Sequence, residues 1–135
     1  MALLLDTCAT IWLAEGEPMA RPALASIDKA AKNSGIFVSP MTAWEIGLLS
    51  ARGRLTMSMS PRAWFEAFLG LPGISLADLS TNILIASSFL PGTPPNDPAD
   101  RIIAATSRET GLTLVTRDRL LLEYAAQGHI EALAC

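Results

Sequence analysis

Short apolar runs alternate with helical segments along this chain, and this alternation limits the folds that it can adopt. The first run, Leu3–Leu5, is apolar without interruption, as parallel strands buried on both faces are. The segments between such runs carry apolar residues three or four positions apart, which is the spacing of an amphipathic helix. Strands that alternate with helices form βαβ units. The sequence therefore predicts an α/β fold with a mainly parallel sheet flanked by helices.

Turn and capping residues give the expected bounds of these elements. Ser39 followed by Pro40 is typical of a helix start, and a glycine such as Gly111 is typical of the position after a helix end. The predicted strands are Leu3–Leu5, Ile36–Val38, Ile74–Leu76, Leu112–Val115 and an edge strand Ile130–Leu133. The predicted helices are Thr7–Ala14, Pro22–Lys32, Pro40–Ala51, Pro61–Leu69, Ser80–Phe89, Pro98–Thr110 and Asp118–Ala126.

Length and composition predict one small domain. The 135 residues, half of them apolar, suffice for one core, so residues 1–135 are predicted to form one domain. No apolar stretch approaches the roughly 20 residues of a membrane helix. No basic region precedes Leu3, so we expect no signal peptide. The two cysteines, Cys8 and Cys135, form no disulfide framework or zinc-spacing motif. A cytoplasmic protein without membrane contact is expected.

The charge balance is acidic. The net charge is −3, whereas proteins that hold nucleic acid by general electrostatics usually have a basic face. A nuclease remains compatible with this balance, because metal ions at an acidic site supply the positive charge that meets a phosphate.

Four carboxylates lie where predicted elements begin or end. Asp6 and Asp118 follow strands, and Glu45 and Asp100 lie in the first turns of helices. Ligands of open α/β sheets bind at the carboxyl ends of the strands, beside the point where strand order reverses. Clustered carboxylates repel one another, and a hard divalent cation with oxygen ligands relieves that repulsion. The pattern therefore predicts a cation site made by these four acids.

Each of these acids also has a purely structural interpretation. Asp6 and Asp118 are favoured N-cap residues, with Thr116 as an alternative cap to Asp118. Glu45 fits a capping box with Thr42. Asp100 suits the positive end of a helix dipole. A neighbouring acid, Asp97, is expected to be the N-cap before Pro98 and to lie outside the site. Only the joint pattern of the four acids favours function.

The order of these motifs resembles the PIN-domain family, and within it the VapC-type ribonuclease toxins of bacterial type II toxin–antitoxin systems. Any one motif is weak, but four in the same order with matching gaps are specific. The resemblance covers nearly the whole chain and is carried by residues Leu4–Thr7, Ser39–Ile46, Asp97–Thr106 and Leu114–Asp118.

The resemblance implies a fold, an activity and partners. The family's sheet is five-stranded and parallel, and its members are metal-dependent endoribonucleases that usually form dimers. The acids that match Asp6, Glu45, Asp100 and Asp118 bind Mg²⁺ or Mn²⁺ there, and Thr116 lines the site. A small antitoxin of the VapB type occludes the active site and contacts DNA on behalf of the pair. Transfer RNA is one candidate substrate, and messenger and ribosomal RNA stay open.

The chain departs from the family pattern at two places. Many relatives carry histidine before the Asp-Pro dipeptide, where this chain has Pro95 and Asn96, and a bulky aromatic residue where it has Ala99. Neither position provides a metal ligand, so these differences bear on the fit of the substrate.

Basic and aromatic residues offer further candidates. Arg101, Arg117 and Arg119 lie beside the acids and are candidates for phosphate contacts, with ion pairing to the same acids as the alternative. The three tryptophans can stack bases in principle, but Trp44 and Trp64 lie in apolar helical stripes and are expected to pack in the core or an interface. His129 is expected at the surface. Trp12 is the third tryptophan and lies outside the two stripes. A nucleophilic thiol at Cys8 would need a nearby base, and none is evident.

Three other functions remain open. A phosphatase of the haloacid-dehalogenase type also opens with a strand ending in Asp, but it requires a second Asp two positions later, where this chain has Cys8. A catalytically silent PIN-like module that binds protein is the second alternative, against which the retention of all four acids argues. The third is a structural domain in which the acids are only caps.

Overall fold

The computed structural model describes all residues, Met1–Cys135, and its centre is one five-stranded sheet. All four strand pairings are parallel, which confirms the predicted α/β fold class. The sequence predicted a mainly parallel sheet, and the sheet is wholly parallel. The order across the sheet is β3-β2-β1-β4-β5. The strands are β1 Leu3–Leu5, β2 Ile36–Val38, β3 Ile74–Leu76, β4 Thr113–Thr116 and β5 Ala132–Ala134.

Seven helices connect the strands. They begin mostly where a side-chain cap was predicted; Ser39, for example, accepts a hydrogen bond from the backbone N–H of Met41 at 3.0 Å. None of the helices combines the length and apolar character that a membrane-spanning segment requires. The helices are α1 Thr7–Glu15, α2 Arg21–Lys32, α3 Pro40–Ala51, α4 Pro61–Leu69, α5 Thr81–Ala86, α6 Pro98–Thr110 and α7 Arg119–Ala126.

The predicted helix Ser80–Phe89 was too long. Within this range only Thr81–Ala86, helix α5, is helical. Ser87 follows its end, and the Ser87 hydroxyl donates a hydrogen bond to the carbonyl of Leu84 at 2.6 Å. Serine side chains that bond nearby carbonyls compete with the helical backbone. Pro91 follows shortly after and disfavours helical conformation in the residue before it.

The last two strands are also shifted from their predicted bounds. The fourth begins at Thr113 and includes Thr116, and the fifth lies at Ala132–Ala134 instead of Ile130–Leu133. Their register explains both shifts, because β4 pairs with β1 from Leu3↔Thr113 onward and β5 pairs with β4 up to Thr116↔Ala134. Apolar character alone does not report such pairing.

The sheet divides the apolar core into two parts. Leu3 and Leu5 point to the larger cluster, which includes Trp64 and Phe68 of α4. Leu4 points to the other face, toward residues of α6 and α7. All three residues of β1 are fully buried, which explains their continuous apolar run.

The strand order reverses beside β1. The chain passes from β1 to β2 and β3 on one side, and β4 and β5 lie on the other side. The register Leu5↔Val115 places Asp6 and Thr116 next to each other, where β1 and β4 end. This is the topological switch point at which open α/β sheets bind ligands.

Candidate active site

A cavity of about 270 Å³ opens at the carboxyl ends of β1 and β4. All four acids singled out in the sequence line it, two from the strand ends and two from helices α3 and α6. The lining residues are Asp6, Thr7, Cys8, Trp12, Glu45, Asp100, Ile103, Arg117 and Asp118.

The two strand-end acids are also helix caps. Asp6 is buried, and its Oδ1 accepts a hydrogen bond from the backbone N–H of Ala9 at 2.7 Å, at the start of α1. Oδ1 of Asp118 accepts from the backbone N–H of Leu121 at 3.0 Å, at the start of α7. The cap and the site are therefore not alternatives, since both acids cap a helix and line the cavity.

Thr116 joins these two acids. Its buried hydroxyl donates a hydrogen bond to Oδ2 of Asp6 and accepts one from the backbone N–H of Asp118 at 3.0 Å. Thr116 was expected to line the site. It is not among the residues that line the cavity, and it orients Asp6 from behind the cavity surface.

Glu45 enters the cavity from the second turn of α3. Its Oε1 accepts a 2.6 Å hydrogen bond from the hydroxyl of Thr7. The hydroxyls of Thr7 and Thr42 lie 3.1 Å apart, and since Thr7 uses its proton on Glu45, Thr42 is the donor of that pair. The capping box of Thr42 with Glu45 is not formed, because Ser39 caps this helix.

Asp97 and Asp100 separate into a cap and a cavity residue. Oδ2 of Asp97 accepts from the backbone N–H of Asp100 at 3.0 Å, and Asp97 itself is exposed and does not line the cavity. The carboxyl of Asp100 faces the cavity and has no hydrogen bond that lowers its pKa.

Burial and mutual repulsion raise the pKa values of three of the acids. Burial raises the pKa of Asp6, although the hydrogen bonds from Thr116 and Ala9 oppose the effect. Burial also raises the pKa of Glu45, against the hydrogen bond from Thr7. The pKa of Asp100 rises furthest, from 3.8 to about 7, through burial and then the nearby acids.

No basic side chain neutralises this cluster. The one ion pair of the structure joins Arg119 to Glu123 at 2.9 Å on the exposed face of α7. A donor set made only of carboxylates suits a hard divalent cation. In this structure, however, no three potential ligands are gathered tightly enough to hold a metal ion. The four acids therefore share a cavity without forming a closed ligand set.

The arginines have three different surroundings. Arg101 does not line the cavity, because its Nε and Nη1 donate to the carbonyls of Ser87 at 2.9 Å and Pro95 at 3.2 Å. It was a substrate-binding candidate, and its side chain instead holds the segment before α6. Arg117 does line the cavity, and Arg119 is paired on the surface.

Two residues of α1 line the cavity although the sequence did not predict them as site residues. Cys8 and Trp12 lie four positions apart, on one face of the helix that Asp6 caps, and this spacing is the signal that places them together. Burial and then the nearby acids raise the pKa of the Cys8 thiol, which disfavours a thiolate nucleophile.

The other aromatic residues differ from one another. Trp64 is buried in the core, as expected, and stacks on Phe68 with ring centroids 5.7 Å apart. Trp44 is 56% exposed, so core packing is wrong for it. His129 is half-buried and packs against Tyr124 instead of lying free on the surface.

Comparison with known proteins identifies the family. Residues 3–127 match the model of the PIN domain. The chain belongs to the PIN-domain family. This PIN domain is 31% identical over 123 residues to ribonuclease VapC22 of Mycobacterium tuberculosis, a similarity that covers 88% of each chain. The resemblance identified in the sequence is thereby confirmed.

Solved structures share the fold. The PIN domain matches a chain of VapBC2 from Rickettsia felis bound to a DNA fragment from their promoter, with a TM-score of 0.71 at 16% identity over 99% of this chain and 98% of the other. DNA-bound VapBC from Salmonella typhimurium gives a TM-score of 0.68 at 20% identity, with the same coverage. These similarities confirm the arrangement of the five-stranded parallel sheet and its helices.

Proposed function

We propose that this PIN domain is a metal-dependent endoribonuclease and the toxin of a toxin–antitoxin pair. The observation that carries the proposal is the meeting of four carboxylates in one cavity at the switch point of the sheet, with no basic side chain paired to them. The ribonuclease relative VapC22 supports the choice of RNA as substrate.

Asp6, Glu45, Asp100 and Asp118 are the proposed ligands of Mg²⁺ or Mn²⁺. Such an ion polarises a phosphate oxygen and lowers the pKa of bound water. Thr116 fixes one oxygen of Asp6, and Thr7 fixes one oxygen of Glu45. Each of these acids therefore keeps a defined orientation. Both oxygens of Asp6 accept one hydrogen bond each, from Ala9 and Thr116, and each carboxylate oxygen keeps a second lone pair for a cation.

An acid of the cluster that is not bound to the ion is the proposed proton acceptor of the attacking water. Asp100 is the candidate, because its carboxyl faces the cavity and accepts no hydrogen bond that lowers its pKa. The water then attacks the phosphorus in line with the leaving oxygen, and Arg117 at the cavity wall contacts a phosphate of the RNA.

Partners follow from the same relationship. The neighbours of similar fold are VapBC complexes bound to DNA, which supports a VapB-like antitoxin as partner. We expect DNA contact only through that antitoxin. Leu84, Ile85 and Phe89 expose apolar surface on and just after α5, which supports a homodimer through this face. A cytoplasmic location agrees with these roles and stays a prediction.

The decisive experiment is RNA cleavage by purified protein. Cleavage should require Mg²⁺ or Mn²⁺, stop with EDTA and return when excess metal is added. Transfer, messenger and ribosomal RNA are offered separately, and we expect transfer RNA to be cut. Cleavage that persists in metal-free protein contradicts the mechanism; metal-dependent cleavage of another RNA corrects the substrate alone.

A catalytically silent protein-binding module is the second candidate. It predicts a stable antitoxin complex, with no cleavage of any RNA at any metal concentration. The phosphatase alternative is disfavoured by Cys8, which occupies the position of the required second acid and whose raised thiol pKa makes it a poor substitute.

A further inference from the structure

Arg117 is the one basic side chain among the cavity residues, yet it does not pair with the acids around it. It directly precedes Asp118, and both line the cavity. No nitrogen of Arg117 lies within 4.0 Å of an Asp or Glu carboxylate oxygen. Opposite charges attract, so a cation that shares a cavity with four carboxylates is expected to pair with one of them. Other contacts must therefore hold the guanidinium away from the acids.

Three contacts hold it. Nε donates to the backbone carbonyl of Cys135 at 3.0 Å, and Nη2 donates to the backbone carbonyl of Pro18 at 3.2 Å. The guanidinium carbon lies 3.5 Å from the centre of the Trp12 ring, in a cation–π contact. Two carbonyls and one aromatic face fix both the position and the plane of the group.

The fixed guanidinium still has donors to offer. Of its five N–H groups, the two carbonyls use one on Nε and one on Nη2. Both N–H groups of Nη1 and the second of Nη2 stay available on an exposed side chain. This paired edge suits bidentate contact with a phosphate.

Trp12 does more here than fill space. If its ring were absent, the guanidinium would lose one of its three contacts and gain freedom to move toward the carboxylates. There it would neutralise the acids, compete with the metal ion and leave the phosphate without its cation. The same contact therefore serves both the metal site and the substrate.

We infer that Trp12 is a positioning residue that holds the Arg117 guanidinium at the cavity wall, away from the four acids, where it takes an RNA phosphate beside the one being cut. This inference rests on the proposed ribonuclease function. Trp12 acts through Arg117 and does not itself bind the RNA.

The first test needs no RNA. In the NMR spectrum of the free protein, the Nε–H signal of Arg117 should be displaced by the Trp12 ring and protected from exchange by the Cys135 carbonyl. Trp12→Leu should remove the displacement and the protection, and Trp12→Phe should retain part of both. Trp44→Leu changes an exposed tryptophan outside the cavity and should leave the signal unchanged. An Arg117 signal that is unaffected by Trp12→Leu overturns the inference, even if RNA cleavage is established.

The second test is a double-mutant cycle of RNA binding. It uses fluorescein-labelled, unfractionated transfer RNA with Mg²⁺, in a background of Asp100→Asn that prevents cleavage. Arg117→Gln should weaken binding by about tenfold, as expected for a lost charge-assisted hydrogen bond. It should also lower the slope of log affinity against log salt by about 0.7, the value for one phosphate on a single strand. Arg119→Gln removes an arginine of the surface ion pair and is the matched control.

The cycle separates the roles of Trp12. If Trp12 acts through Arg117, Trp12→Leu weakens binding in the parent and has no further effect in the Arg117→Gln background. An equal loss in both backgrounds means that Trp12 stacks on a base and overturns the inference. Loss of thermal stability without loss of RNA affinity means that Trp12 only packs, and this also overturns it. Failure of the parent and the wild type to bind or cut any RNA rejects the proposed function, while the NMR test still decides the placement of Arg117.

The third readout is metal binding by the same variants without RNA. With Arg117 released, Trp12→Leu should bind Mn²⁺ more weakly by calorimetry, and Trp12→Leu combined with Arg117→Gln should recover the affinity of Arg117→Gln alone. Unchanged Mn²⁺ affinity in Trp12→Leu contradicts the part of the inference that concerns the acids.

Discussion

The strand-end half and the helix half of the cavity hold their acids in different ways. Asp6 and Asp118 follow β1 and β4, and each uses one oxygen to cap the next helix. Glu45 and Asp100 project from within helices, and Asp100 has no hydrogen bond to offset its burial. The strand-end half is therefore fixed by the backbone itself, whereas the helix half depends on side-chain surroundings and carries the largest pKa shift.

This difference teaches that a capping role does not argue against a functional one. The N–H groups at a helix start and a cation both attract carboxylate oxygens, and a carboxylate has two oxygens to offer. Asp97 shows the contrasting case, since it caps α6 but lies outside the cavity. The position at the sheet edge, and not the capping hydrogen bond, distinguishes Asp6 and Asp118 from Asp97.

The largest expected effect is loss of catalysis at a strand-end acid. Asp6→Asn keeps a good capping oxygen but loses the charge, so RNA cleavage should fall by more than about a hundredfold, above the range for residues that only support metal ligands. The fold should persist, as checked by circular dichroism. Asp97→Asn is the matched control and should cleave RNA at close to the wild-type rate. Equal activity in the two variants would break the distinction between the cavity acid and the cap.

The next effect is stabilisation by metal. A cation that binds only the folded protein raises the free energy of unfolding by roughly 2.7 kcal/mol at a hundredfold excess over Kd. Mn²⁺ should therefore raise the melting temperature of the wild type in a calorimetric scan. Asp100→Asn should gain less, because it removes one charge of the donor set. If Mn²⁺ raises the melting temperature of Asp100→Asn as much as that of the wild type, Asp100 is not a metal ligand and the ion is bound at the strand-end half of the cavity.

Capping by Asp118 predicts a smaller effect. Asp118→Ala removes both the cap and the charge and should lower the free energy of unfolding by about 1 kcal/mol, whereas Asp118→Asn should cost only a few tenths. Chemical denaturation in EDTA measures both. Both variants should lose RNA cleavage, since neither keeps the carboxylate. If Asp118→Asn still cleaves RNA, Asp118 is a helix cap and not a metal ligand.

The smallest expected effect is a pH dependence from Asp100. Its pKa is raised from 3.8 to about 7 on folding, so between these values the folded protein binds more protons than the unfolded chain. Its contribution to stability is fully present below the lower value and is lost as pH rises through the upper one. Because the carboxyl is partly solvated, the change should stay below about 1 kcal/mol.

Thermal unfolding in EDTA at several pH values measures this change. The melting temperature of the wild type should fall by a few degrees between about pH 5 and about pH 8, and Asp100→Asn should flatten part of that fall. Asp28→Asn, at an exposed acid of α2 outside the cavity, is the control. A fall of the same size in Asp100→Asn would assign the pH dependence to other groups.

The sequence alone determined the sheet, its parallel direction and the grouping of the four acids. Continuous apolar runs such as Leu3–Leu5 require burial on both faces, and parallel strands bring their carboxyl ends to one edge. Both inferences apply general rules of sheet structure to short stretches of sequence. The family motifs, read in order, then linked Asp6, Glu45, Asp100 and Asp118 to one site.

Only the tertiary structure decided the contacts between side chains distant in sequence. Thr116 reaches Asp6 across 110 positions, and Thr7 rather than a capping box orients Glu45. The sequence ranked Arg101 with Arg117, but the carbonyls of Ser87 and Pro95 hold Arg101 outside the cavity. Hydrogen bonding depends on distances of a few ångströms and on direction, and strand register and helix packing set both after the chain has folded.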